Sequence, residues 1–342
     1  MDGLVSKEDR EMCKCVTMAV VVGLSLAVMV SANIGIDTVP VGNPGNVPDT
    51  RYTTPGYGAV AYTYNIGKYE VTAGQYTAFL NAVAKIDTYQ LYALSMGRAE
   101  GCGIARSGAG TVGDPYTYSV ASDFANRPVN WVSYWDCGRF ANWLHNGQPT
   151  GAQGAGTTER GAYTLDGYNG TDGRTIQRNA NWKWAVTSDD EWYKAAYHKN
   201  DGVTGNYFDY PTSSDSVPSN VLGNPTDPGN NATYYSNGYT IGSPYYRTEV
   251  GAHENSESPY GTFDQGGNVY EWNEAVLYER SRGLRGGSFS GYDYDLRASY
   301  RDSSFPMLEY SFIGFRVSEV PEPATVVLLA LASVGIIRRR KG

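Results

Sequence analysis

Histidine is almost absent from this 342-residue chain, which has only His145, His198 and His253. They are far apart, so the short-spaced histidine pairs of zinc and iron enzymes are missing. Cysteine is scarce too: Cys13 and Cys15 lie in the first fifteen residues, and only Cys102 and Cys137 belong to the body. Two body cysteines exclude a disulfide-dense scaffold, although in an oxidising compartment those two can pair. Basic residues are outnumbered, 27 against 35 acidic, for a net charge of −8. Trimming both ends leaves the body near −10. A nucleic-acid partner needs a basic face and is excluded. The carboxylate surplus is compatible with hard cations. No repeat of fixed period is present, which excludes a solenoid or propeller. No G-x-S-x-G elbow is present either, so serine-nucleophile chemistry has no local signature.

Glycine (41) and tyrosine (29) are abundant, and mean hydropathy is −0.42. That is too aromatic for a disordered chain. The glycines predict a loop-rich globule instead of a helical bundle.

The two ends read as addresses. Lys7, Arg10 and Lys14 precede an apolar run from Val16 to Val30, and Val30-Ser31-Ala32 fits a small-residue cleavage site. This predicts a signal peptide over 1–32, removed by signal peptidase. At the other end, Pro321-Glu322-Pro323 precedes an apolar run, Ala324 to Ile337, followed by Arg338-Arg339-Arg340-Lys341. Both runs are shorter than the roughly 20 residues a stable span needs, so membrane insertion through them is expected to be transient. The tripartite segment 321–342 closely resembles the PEP-CTERM sorting signal of bacterial exported proteins. The resemblance implies cleavage by an exosortase and a destination at the cell surface or in the extracellular matrix.

Between the addresses, 33–320 shows no linker and reads as one domain. Residues 33–58 form an irregular entry segment. Val60, Tyr62, Tyr64 and Ile66 alternate, predicting a strand over 59–66. Three capping boxes predict three helices: Thr72 with Gln75 opens 73–84, Ser133 with Asp136 opens the second, and Ser188 with Glu191 the third. The second helix places Cys137 toward the core. Trp182 to Val186 reads as a short strand. Residues 86–126, 146–181 and 198–258 read as long irregular stretches.

An ordered set of motifs runs through the body. Tyr69-Glu70-Val71-Thr72 and Pro128-Val129 each lead to a helix, and Ala185-Val186-Thr187 precedes Glu191-Trp192. Then come Gly267-Asn268-Val269-Tyr270-Glu271-Trp272, Arg285-Gly286-Gly287-Ser288-Phe289, Arg297-Ala298-Ser299-Tyr300-Arg301 and Gly314-Phe315-Arg316. In that order, over about 60–318, they resemble the formylglycine-generating enzyme family, the sulfatase-modifying-factor domain. The resemblance implies an α+β fold: a single loop-rich domain with a C-type-lectin-like core. It implies calcium at Asp264, the carbonyls of Gly267 and Val269, and Glu271. Read from the residues alone, Asp264 caps a turn and Glu271 pairs with an arginine. A second calcium would use Asn220 and the Val221 carbonyl.

The family's oxidases carry two copper(I)-binding cysteines just after the Gly-Gly-Ser turn, and soft thiolates are what select copper(I). Here that segment is Ser288-Phe289-Ser290-Gly291-Tyr292-Asp293-Tyr294-Asp295-Leu296, without a cysteine. No copper is expected. The expectation is therefore a non-catalytic, exported matrix protein that binds a glycan or a peptide through Ser288, Tyr292, Asp293, Tyr294, Asp295 and Arg301. The alternative is a formylglycine-generating-type oxidoreductase, or another metal-dependent enzyme on the same fold, with a histidine site assembled across the fold still open. Arg297 and Arg316 read as structural arginines locked to carboxylates.

Overall fold

A computed structural model describes residues 33–223 and 228–320. The signal peptide and the sorting segment lie outside the described residues. Each of the three capping boxes forms. Thr72 accepts from Gln75 N and starts α1, Ala73–Val83. Ser133 accepts from Asp136 N and starts α2, Tyr134–His145. Ser188 accepts from Glu191 N and starts α3, Asp189–Tyr197. In each, the third residue returns a bond to the cap backbone, so two orphan donors are satisfied at once.

Helices α2 and α3 pack against two four-stranded sheets, and α1 packs on α2 and on a separate hairpin. The first orders β1 (Thr38–Val41), β2 (Tyr64–Gly67), β10 (Val317–Glu319) and β5 (Trp184–Val186), all antiparallel. The second orders β8 (Asp302–Ser304), β7 (Ser281–Arg285), β6 (Tyr270–Leu277) and β9 (Ile313–Gly314), with β6 and β9 parallel. The separate hairpin pairs β3 (Ile104–Ser107) with β4 (Thr117–Val120). The Tyr260–Val317 stretch thus supplies the whole second sheet and opens β10 of the first. The main core joins α1 (Tyr76, Phe79, Leu80), α2 (Trp135, Phe140) and the late strands (Trp272, Phe315).

Two expectations about strands fail. The expected strand over 59–66 begins only at Tyr64, because Val60 spends its backbone on the Gly45–Asn46 turn. Tyr62 is 44% exposed and reaches across to Glu191 at 2.5 Å. The irregular 86–126 stretch contains the β3–β4 hairpin. Cys102 and Cys137 are buried free thiols, each against its own carbonyl: Asn130 at 3.9 Å and Ser133 at 3.1 Å. They do not pair.

Candidate functional site

Two turns shape the region where the family's thiols would lie. Gly267 has φ +84°, and a Cβ there would stand 2.1 Å from the Thr233 carbonyl. Gly286 has φ +95°, and its Cβ would meet Gln265 O at 2.6 Å. Only glycine allows both the left-handed backbone and the close approach. These turns deliver the 288–296 loop to the surface beside the 233–239 loop. Tyr235 N donates to Gly291 O at 2.8 Å and ties the two loops together.

The six expected ligand residues divide. Tyr292 and Tyr294 are half-exposed, 50% and 49%, with rings stacked at 5.7 Å and 20°. Asp293 lies beside them and pairs with Arg297 at 3.2 Å. Asp295 turns inward and accepts from Tyr292 N at 2.8 Å, which sets the loop's shape. Ser288 is 1% exposed and faces Ser290 at 3.3 Å. Arg301 is elsewhere: it pairs with Asp189 at 2.9 Å, lies over Tyr57, and lines a separate cleft of about 460 Å³. The loop therefore presents Tyr292, Asp293 and Tyr294. Asp295 and Ser288 support it, and Arg301 is not part of it.

The aromatic surface continues past the loop. Tyr294 meets Tyr300 at 5.9 Å, Tyr292 meets Tyr235 at 5.9 Å, and Tyr235 meets Tyr239 at 5.1 Å. Tyr239 is 45% exposed and packs on Tyr246 and Phe289. Sequence reasoning missed Tyr235, Tyr239, Tyr246 and Tyr300. The Tyr234-Tyr235 and Tyr245-Tyr246 doublets in an otherwise polar stretch were the available signal.

The first expected calcium set is only partly free to bind a metal. Glu271 is fully buried, and both oxygens are engaged. Arg316 Nε and Nη2 donate to it at 2.6 Å each, and Trp192 Nε1 at 2.8 Å. Its carboxylate therefore serves the ion pair. Asp264 has φ +61° and accepts from Gly251 N at 2.6 Å through Oδ2. Burial pushes its carboxyl up to about 6. Glu70, 1% exposed, has no donor for either carboxylate oxygen. Burial first, then the charges of Asp264 and Glu271, push it well above the ordinary carboxylate range. The acidic chemistry calcium favours is thus present at Asp264 and Glu70.

The second set does not fit. Asn220 donates Nδ2 to the carbonyls of Tyr234, Ser236 and Gly238 at 3.3, 3.3 and 3.0 Å, and Val221 is 65% exposed. The Asn220 amide N–H group, not its oxygen, faces those three carbonyls. Among the described residues, no three His, Cys, Asp or Glu side chains converge on a metal position. Burial holds the Cys137 thiol well above its usual range, with Asp136 adding to the shift, and burial raises Cys102 too. Neither resembles an activated thiolate.

Comparison with known proteins identifies the body and the C-terminal segment. Residues 37–320 match the sulfatase-modifying factor enzyme 1-like domain, and residues 319–341 match the PEP-CTERM protein-sorting motif. No curated protein matches the chain. Among solved structures, CarF is 21% identical, covering 84% of this chain and 99% of its own, with a TM-score of 0.47. Treponema denticola variable protein 1 is 17% identical, covering 83% and 95%, with a TM-score of 0.47. PvdO from Pseudomonas aeruginosa is 18% identical, covering 83% and 91%, with a TM-score of 0.41. The sorting motif marks the chain for export and surface association and implies processing by exosortase. The chain belongs to the family of sulfatase-modifying factor enzyme 1-like domains, carried here on an exported protein with a PEP-CTERM sorting motif.

Proposed function

We propose that this protein is a non-catalytic binding module of the bacterial surface or matrix. It would recognise a glycan through the Tyr292–Tyr294 face. One observation carries the reading. Where the family's oxidases place thiols, this chain presents two stacked, half-exposed tyrosines on a loop pinned by Asp295 and Arg297. Tyrosine rings cover the apolar faces of sugars at low entropic cost, and their hydroxyls with Asp293 accept sugar hydroxyl bonds. The stacking order is already set, so binding loses little rotamer freedom.

Calcium is the proposed structural ion, held beside Asp264. When bound, it would supply counter-charge to buried carboxylates and cross-link the 264–269 turn to its neighbours. The oxidoreductase alternative lacks the family's pair to carry it: Ser288–Leu296 contains no thiol, and both body cysteines are core groups.

A glycan array probed with the purified full-length protein tests the binding reading. Saturable binding to one glycan class supports it. Oxygen consumption with a thiol peptide, or tight copper(I) uptake, refutes it.

A further inference from the structure

Glu70 is a buried carboxylate with neither oxygen hydrogen-bonded. Its segment runs beside the Phe263–Asp264 segment, since Phe263 N donates to Lys68 O at 2.9 Å. Arg316 clamps both: Nη1 donates to Gly67 O and Nη2 to Phe263 O, each at 2.9 Å. Three carboxylates, the buried Glu70 and Glu271 and the half-buried Asp264, therefore act on one guanidinium. Glu271 takes that guanidinium in a two-point pair, so Arg316's charge is spent.

Other cations do not make up the deficit. The Lys68 ammonium sits over the Tyr69 and Phe263 rings, at 5.3 and 5.2 Å, and forms no ion pair. Asp264 receives one backbone N–H, and Glu70 receives nothing from another residue's side chain. An unpartnered buried carboxylate is costly, and protonation alone would leave the Glu70 hydroxyl and carbonyl without partners. A hard divalent cation between the two carboxylates would satisfy both. Gly251, whose N–H bonds Asp264, is in the wall of a cavity of about 550 Å³ that also carries Glu249 and Glu254, and Glu70 is in the wall of a separate one of about 80 Å³.

We infer that Glu70 is a ligand of the proposed calcium, which it shares with Asp264, while Glu271 remains with Arg316. This rests on the calcium reading above but changes its ligand set: the glutamate ahead of α1 takes the place expected for the glutamate of β6.

The test is calcium titration, by calorimetry and native mass spectrometry, of the chelator-stripped full-length protein as wild type and as E70Q. Gln keeps the side-chain shape and removes the charge. The expected result is one Ca²⁺ per wild-type chain, affinity lower by about tenfold or more in E70Q, and a metal-free E70Q that melts no lower than the metal-free wild type. If E70Q binds as tightly as wild type, the Glu70 assignment is overturned while the calcium reading stands. If wild type binds no calcium, both fall.

Discussion

Arg316 offers the sharpest test of how the domain is held together. Its side chain is fully buried and makes two charge-assisted bonds to Glu271 and two to the Gly67 and Phe263 carbonyls. It thus joins the end of β2, the turn before β6, β6 itself and the approach to β10. Replacing Arg316 with Met keeps most of the volume but leaves Glu271 charged and without its cation. Breaking a buried pair from one side costs about 3–5 kcal/mol. At roughly 2 °C per kcal/mol for a large domain, Tm should fall by about 6–10 °C. The melt is run in chelator, so that calcium linkage does not contribute. Adding Glu271→Gln to Arg316→Met should restore part of the loss, because the amide oxygen still accepts from Trp192 Nε1 without a buried charge. A single Arg316→Met variant within about 1 kcal/mol of wild type would refute the reasoning, since the pair would then be dispensable.

Other perturbations have defined outcomes. Gly267→Ala should destabilise by more than the 1–2 kcal/mol cost of a left-handed residue, because its Cβ would meet Thr233 O at 2.1 Å; a normal urea midpoint would contradict this. Thr72→Ala should cost about 1 kcal/mol through loss of the α1 cap, with the m-value unchanged. Glu309 is raised to about 8 by burial and then by the Asp136 and Asp87 charges. Its folded pKa exceeds its unfolded one, so its contribution is fully present below the unfolded carboxylate range and is lost as pH rises through about 8. Glu309→Gln should therefore flatten the fall in stability between pH 5 and pH 8 that wild type shows (roughly the window set by that shift); identical pH profiles would sink the assignment.

The helices were legible because each carries its own start signal within four residues, and a capping box acts locally. Of the short strands, β5 was legible within Trp182 to Val186, but others were not. β1, β3 and β4 have four residues each, in glycine-rich or polar surroundings, and their pairing partners are distant or offer no alternation. Val60 alternates with Tyr64 and Ile66 but is diverted by the Asn46 turn, a tertiary bond that periodicity does not report. At the candidate site, the Tyr292–Tyr294 loop was visible as a replacement for thiols. Tyr235 and Tyr239 join it only through the Tyr235–Gly291 backbone bond. Arg301 looked equivalent to its loop neighbours in sequence, yet the chain turns it toward Asp189. Glu70 stood in plain view in the Tyr-Glu-Val-Thr motif, but nothing local reveals that it lacks a partner.

The central claim is recognition without oxidation at the Tyr292–Tyr294 face. The most direct measurement is a glycan titration comparing wild type with the Tyr292→Ala/Tyr294→Ala double variant, both checked for equal Tm. Stacking contributes about 0.5–1.5 kcal/mol per aromatic contact, so the account predicts roughly a tenfold or greater loss of affinity with folding unchanged. Equal affinity in the two proteins, or no saturable glycan for wild type at all, would contradict it.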